Sequence, residues 1–162
     1  MKNNLALLFA FALISCGANF DENAFAENWR KSNMKIEIQV TNESGATAKL
    51  FATLADNSSA QAFAEKLREN PIALDMTDYS NFEKYGTLPF KLIQNDEKID
   101  TKCGDIMLTW GNTFVIYYDH NSYRFSRLGF LDAIADGSMS QAELKRILGK
   151  GDVKSVISLV EN

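Results

Sequence analysis

The chain is poor in the residues that most catalytic and nucleic-acid signatures require. It has one histidine, two cysteines and two prolines in 162 residues. The lone His120 has no second imidazole with which to build a zinc site. Its titration range suits acid–base work, but Asp119-His120-Asn121 reads as an exposed turn, which favours a solvated side chain. The 17 basic residues form no cluster, so nucleic acid is not an expected partner. Leu148-Gly149-Lys150-Gly151 lacks the frame of a phosphate loop, and no serine nucleophile elbow is present. Asp75 and Asp78 are two carboxylates without an oxygen-ligand loop, a weak case for a cation. Neither a metal nor a cofactor is expected. The longest N-terminal apolar run, Leu5 to Ile14, is ten residues, far short of the roughly 20 that span a bilayer as a helix.

Apolar residues make up 46% of the chain, enough for one folded domain with a real core. The N-terminus has its own pattern. Lys2 precedes the apolar run, and Leu13-Ile14-Ser15-Cys16 closes it. Basic start, apolar stretch and small residue are the order of an export signal. With cysteine next, the pattern resembles a bacterial lipoprotein lipobox. That resemblance implies a signal peptide over 1–15, cleavage before Cys16 and acylation of Cys16. It also implies a lipid anchor to a membrane of the bacterial cell envelope. Residues 16–33 would then form the lipidated cysteine and a polar tether, and 34–162 one domain. The formal charge of −4 becomes −5 when Lys2 is lost. Cys103 is left without a partner for an internal disulfide. No histidine lies near it in sequence, so a small buried thiol is favoured over a reactive one.

The periodicity of the domain is mostly that of strands. Ile36, Ile38 and Val40 alternate with Glu37 and Gln39, and Ala46 to Leu54 resumes after Asn42-Glu43-Ser44-Gly45, predicting a hairpin. Ala60, Phe63, Ala64 and Leu67 share one helical face behind the cap candidates Asp56-Asn57-Ser58, and Asn70-Pro71 ends the helix. Ile72 to Tyr79 predicts a strand. Asn81 to Pro89 reads as loop, Phe90 to Ile93 as a short strand, and Asn95-Asp96-Glu97 as a turn. Ile106 to Trp110 and Thr113 to Tyr118 flank Gly111-Asn112, a strong hairpin signal. Asn121-Ser122 reads as a break and Arg127 to Leu131 as a short apolar segment. Ser140-Gln141-Ala142-Glu143 is a capping box that opens a second helix. Val153 to Val160 predicts the last strand. Many short strands with two helices imply a closed or nearly closed β-barrel.

The text from Asp75 to Phe90, DMTDYSNFEKYGTLPF, is more specific. With Gly104-Asp105-Ile106-Met107-Leu108 and Arg127-Leu128-Gly129, it resembles the bacterial cyclophilin-like domain over about Met34 to Val160. The blocks Glu83-Lys84-Tyr85-Gly86, Leu88-Pro89 and Arg127-Leu128-Gly129 stand in the family's order and spacing. The resemblance implies a mainly β fold, a closed eight-stranded barrel with two helices. It does not imply an activity. True cyclophilins isomerise the bond before proline, using an arginine backed by Phe, Gln, His and Trp, and that set does not lay onto this sequence.

Arg124 and Arg127 are the leading polar candidates. A guanidinium fork can clamp a carboxylate or carbonyl; the plainer expectation for Arg127 is an ion pair with an acid such as Glu83. Tyr79, Tyr85, Phe90, Tyr117 and Tyr123 either line a pocket or fill the barrel. Glu83-Lys84 is either a polar pair at a pocket mouth or, as favoured, a loop ion pair of small energetic worth. The leading expectation is a binding module for a small molecule, peptide or partner protein. The alternative is a divergent peptidyl-prolyl isomerase acting on exported proteins, with Arg127 or Arg124 beside Phe90 or Phe114.

Overall fold

The computed structural model describes residues 34–160. The proposed signal peptide, Cys16 and the tether lie outside the described residues. Nine strands are present: β1 Lys35–Asn42, β2 Thr47–Leu54, β3 Ile72–Tyr79, β4 Glu83–Thr87, β5 Glu97–Asp100, β6 Asp105–Thr109, β7 Thr113–Tyr117, β8 Ser122–Leu131 and β9 Val153–Val160. Eight close into an antiparallel barrel in the order β2-β1-β9-β3-β4-β7-β6-β8, and β8 returns to β2 through Ala52↔Leu131, Thr53↔Phe130 and Leu54↔Gly129. A barrel has no free edge at this seam. The seam needs a glycine: a Cβ on Gly129 would stand 2.8 Å from the Thr53 carbonyl oxygen.

Helices stop both ends. Helix α1, Ser58–Glu69, starts at Asn57, whose side chain accepts from the Ala60 N–H at 2.9 Å. Its face of Ala60, Phe63, Ala64 and Leu67 joins the interior cluster, with the Phe63 ring 5.6 Å from Phe114. Helix α3, Gln141–Leu148, carries the expected capping box of Ser140 and Glu143. It brings Leu144 and Leu148 to the same cluster beside the Asn42 end of β1. Among the described residues there is a third helix, the single turn α2, Asp132–Ala135, which the sequence did not announce. None of the described helices is long and apolar enough to cross a membrane.

Three stretches differ from the sequence expectation. Residues 83–87, read as loop, form β4. Its inward positions are Lys84 and Gly86, where the period-two pattern normally shows apolar residues. Lys84 is fully buried, with Nζ 2.6 Å from Asp78 Oδ1, 2.6 Å from the Gly151 carbonyl and 3.2 Å from the Gly149 carbonyl. All three ammonium protons thus have acceptors, which makes its burial tolerable. Phe90 to Ile93, expected as a strand, is irregular. Pro89 removes a donor, Leu88 and Leu92 plug into the interior, and Asn95 ties the segment to Ser58 and Ser59 at the start of α1. The third is the pair of segments Glu97–Asp100 and Ser122–Ser126, read as turn and break. The polar Glu97–Asp100 pairs with the first half of β8, which runs ten residues rather than starting at Arg127.

Candidate functional site

Strands β6 and β7 are buried at every position. A barrel interior covers only one face of a strand, so something also covers their outer face. Ile106, Leu108, Phe114 and Ile116 face inward. Met107, Val115 and Tyr117 face outward and form a second cluster with Ile99, Phe125, Phe82 and Tyr85. Over this cluster opens a cleft of about 350 Å³, lined from β3, β4, β7, β8 and the turn between β6 and β7.

The cleft follows the β4–β7 ladder, in which Glu83 stands opposite Tyr117, Tyr85 opposite Val115 and Thr87 opposite Thr113. Aromatic rings make a continuous wall. Tyr79 packs edge-on to Phe82 at 5.4 Å, Phe82 stacks on Tyr117 at 6.4 Å, Tyr117 meets Phe125 at 5.5 Å, and Phe125 meets Tyr123 at 5.7 Å. A hairpin loop stands at each end. Ser80 and Asn81 are left-handed between β3 and β4; Trp110 and Gly111 are left-handed between β6 and β7, with φ of 52° and 78°. A bulky residue at positive φ is uncommon and costly. Trp110 holds this conformation while 69% exposed as a residue at the cleft's far end. Thr109, Thr113 and Asn121 supply the remaining polar lining.

Glu83 is the acid of the cleft. Its Oε2 is the one buried side-chain polar atom among the described residues that has no hydrogen-bond partner. Burial pushes the carboxyl above its ordinary value, against the lowering influence of the Tyr117 hydroxyl. Burial and the same carboxyl push the Tyr117 hydroxyl up in turn, and the Asn121 amide reaches that hydroxyl at 3.4 Å. Among the described residues lining the cleft there is no lysine, arginine or histidine.

The structure brings together four of the residues singled out from sequence: Glu83, Tyr79, Tyr85 and Tyr123, along with Tyr117. It does not bring the arginines into the lining. Arg127 pairs with Asp105, not with Glu83, because Asp105 shares the outer face of β6 beside it. Burial raises the Asp105 carboxyl, and Arg127 opposes that rise. Arg124 is exposed and donates to the Asp96 carbonyl at 2.8 Å. Phe90 packs on the interior cluster near α1, with Lys66 Nζ 5.8 Å from its ring centre. Glu83 and Lys84 are not a loop pair: as neighbours in a strand they point to opposite faces. Burial raises the Asp78 carboxyl, but Lys84 and the Tyr118 hydroxyl outweigh it and hold it below its ordinary value. That leaves no free carboxylate pair with the exposed Asp75. His120 is exposed. Cys103 is half-buried, and burial pushes its thiol up, away from thiolate reactivity.

Trp110, Asn121 and Phe125 escaped the sequence reading. The available signal was the unbroken apolar text of β6 and β7, which marks strands covered on both faces. It did not say which face held a site.

A barrel of eight antiparallel strands with a helix at each end defines the class. The sequence matches the profile of the cyclophilin-like family over residues 44–158, well over half the chain, and the protein belongs to that family. No curated protein matches it.

Proposed function

We propose that the barrel is a binding module whose site is the aromatic cleft over β4, β7, β6 and β8, carried on an exported protein anchored through an acylated Cys16. The observation that carries the binding reading is the unpartnered Glu83 oxygen inside a cleft of aromatic rings. A buried acceptor without a partner costs about 1–3 kcal/mol, a cost that a ligand donor would relieve. The cleft volume is that of a small-molecule or side-chain site. Isomerisation is disfavoured because lowering a barrier of about 18–20 kcal/mol calls for a donor aimed at the prolyl nitrogen. Arg127 is committed to Asp105, outside the lining. The anchor is supported by the lipobox-like Leu13-Ile14-Ser15-Cys16.

The test is NMR on the isotope-labelled chain with proline peptides and small organic molecules. Shifts at Tyr79, Trp110 and Tyr123 without faster cis–trans exchange are expected. Accelerated exchange would overturn the module in favour of an isomerase.

A further inference from the structure

Resting on the reading of the cleft as a binding site, we propose that its ligand presents an organic ammonium group on an apolar stem, the ammonium seated at Glu83 between Tyr79 and Tyr117. Three observations converge. The lining holds one carboxyl group and, among the described residues, no basic side chain, so anions find no counter-charge. Glu83 Oε2 lacks a donor, and an ammonium supplies three. The groups at that end are tyrosines, Tyr79 and Tyr117 standing opposite Glu83 on the flanking strands. Aromatic faces attract a desolvated cation by about 2 kcal/mol or more.

The rest of the cleft selects the stem. From Tyr117 to Thr113 the ladder runs four residues, or about 13 Å at strand rise. Along that path lie Tyr85, Val115 and Phe125, which offer apolar surface, and Trp110 closes the far end. A hydrated metal ion does not fit this set, because hard cations take six or more oxygen ligands and one carboxyl group is available. A sugar would need polar groups along the middle of the cleft, where Val115 and Phe125 stand.

The experiment compares hexylammonium, hexanol, hexanoate and methyl glucoside by NMR titration of the full chain, with a lysine tripeptide and its norleucine counterpart alongside. Hexylammonium is expected to shift Tyr79, Tyr85 and Trp110 with the lowest Kd. Glu83→Gln is expected to weaken it about tenfold, the loss of a charge-assisted contact, while hexanol stays within about twofold. Lysine tripeptide binding more tightly than hexylammonium identifies a peptide side chain as the source, and the reverse a free amine. Hexanol or methyl glucoside equalling hexylammonium overturns the ammonium assignment but leaves a binding cleft. No shift with any probe, peptide or small molecule overturns both.

Discussion

At the scale of the residue, Glu83 shows a conflict between stability and binding. Its Oε2 is shielded from water and lacks a partner, and the folded-state pKa of the carboxyl lies above the ordinary 4.5. A raised carboxyl means that the native state takes up its proton before the unfolded chain does as pH falls. The penalty for ionised Glu83 is therefore full above the folded pKa and vanishes below the unfolded one. Glu83→Gln should accordingly raise stability by about 1 kcal/mol at pH 7–8, with the gain shrinking towards zero as pH falls to about 4. Urea denaturation of both proteins across that range checks it; an equal gain at every pH would show that the carboxyl's charge is not the cause. Lys84, the next residue, has the opposite character: it is charged, buried and fully partnered. The dipeptide alone could not reveal this contrast. Sequence shows that neighbours in a strand diverge, but the loop-like text around them hid the strand. The pairing of Arg127 with Asp105 was equally hidden, because the two meet across a β6–β8 register shift at Ile106/Met107.

At the scale of the element, apolar periodicity was a faithful guide wherever a strand or helix buries one plain face. Strands β1, β3 and β9 and helices α1 and α3 fall where alternation and caps placed them. It failed where burial is achieved by other means. Strand β4 buries a lysine and a glycine, β5 is a polar edge, and the Leu88–Asp96 crossing is fixed by Ser58, Ser59, Asn95 and Ser126 rather than by a ladder. Barrel closure depends on the backbones of β2 and β8 coming close at Gly129. Gly129→Ala should lower stability by about 1–3 kcal/mol, the cost of overpacking a tight site. Hydrogen exchange should show the loss first in the amides of Ala52 to Leu54 and Gly129 to Leu131, the rungs of the seam. Uniform loss across the barrel would mean the seam is no weaker than the other ladders.

At the scale of the whole molecule, the fold class was legible because the strand count and helix positions survive errors in single elements. The cleft was less so. Its aromatics come from β3, β4, β7 and β8, and only closure of the ring makes them neighbours. The proposed anchor belongs to this scale too. Expressed in a bacterial host, Cys16→Ala should move the protein from the membrane fraction to the soluble fraction, with loss of acyl labelling, while the barrel's thermal transition is unchanged; persistence in the membrane would point to another mode of attachment. The order of the ring then bears on how such a protein would be presented. Counting around β2-β1-β9-β3-β4-β7-β6-β8, β7 is four places from β1 in either direction. The strand that continues from the N-terminal segment and the strand at the centre of the cleft are antipodes of the barrel. Under the proposed anchor, the chain would enter the barrel at the strand farthest around the ring from the cleft, so a visiting ligand would meet a different face from the one at which the chain enters.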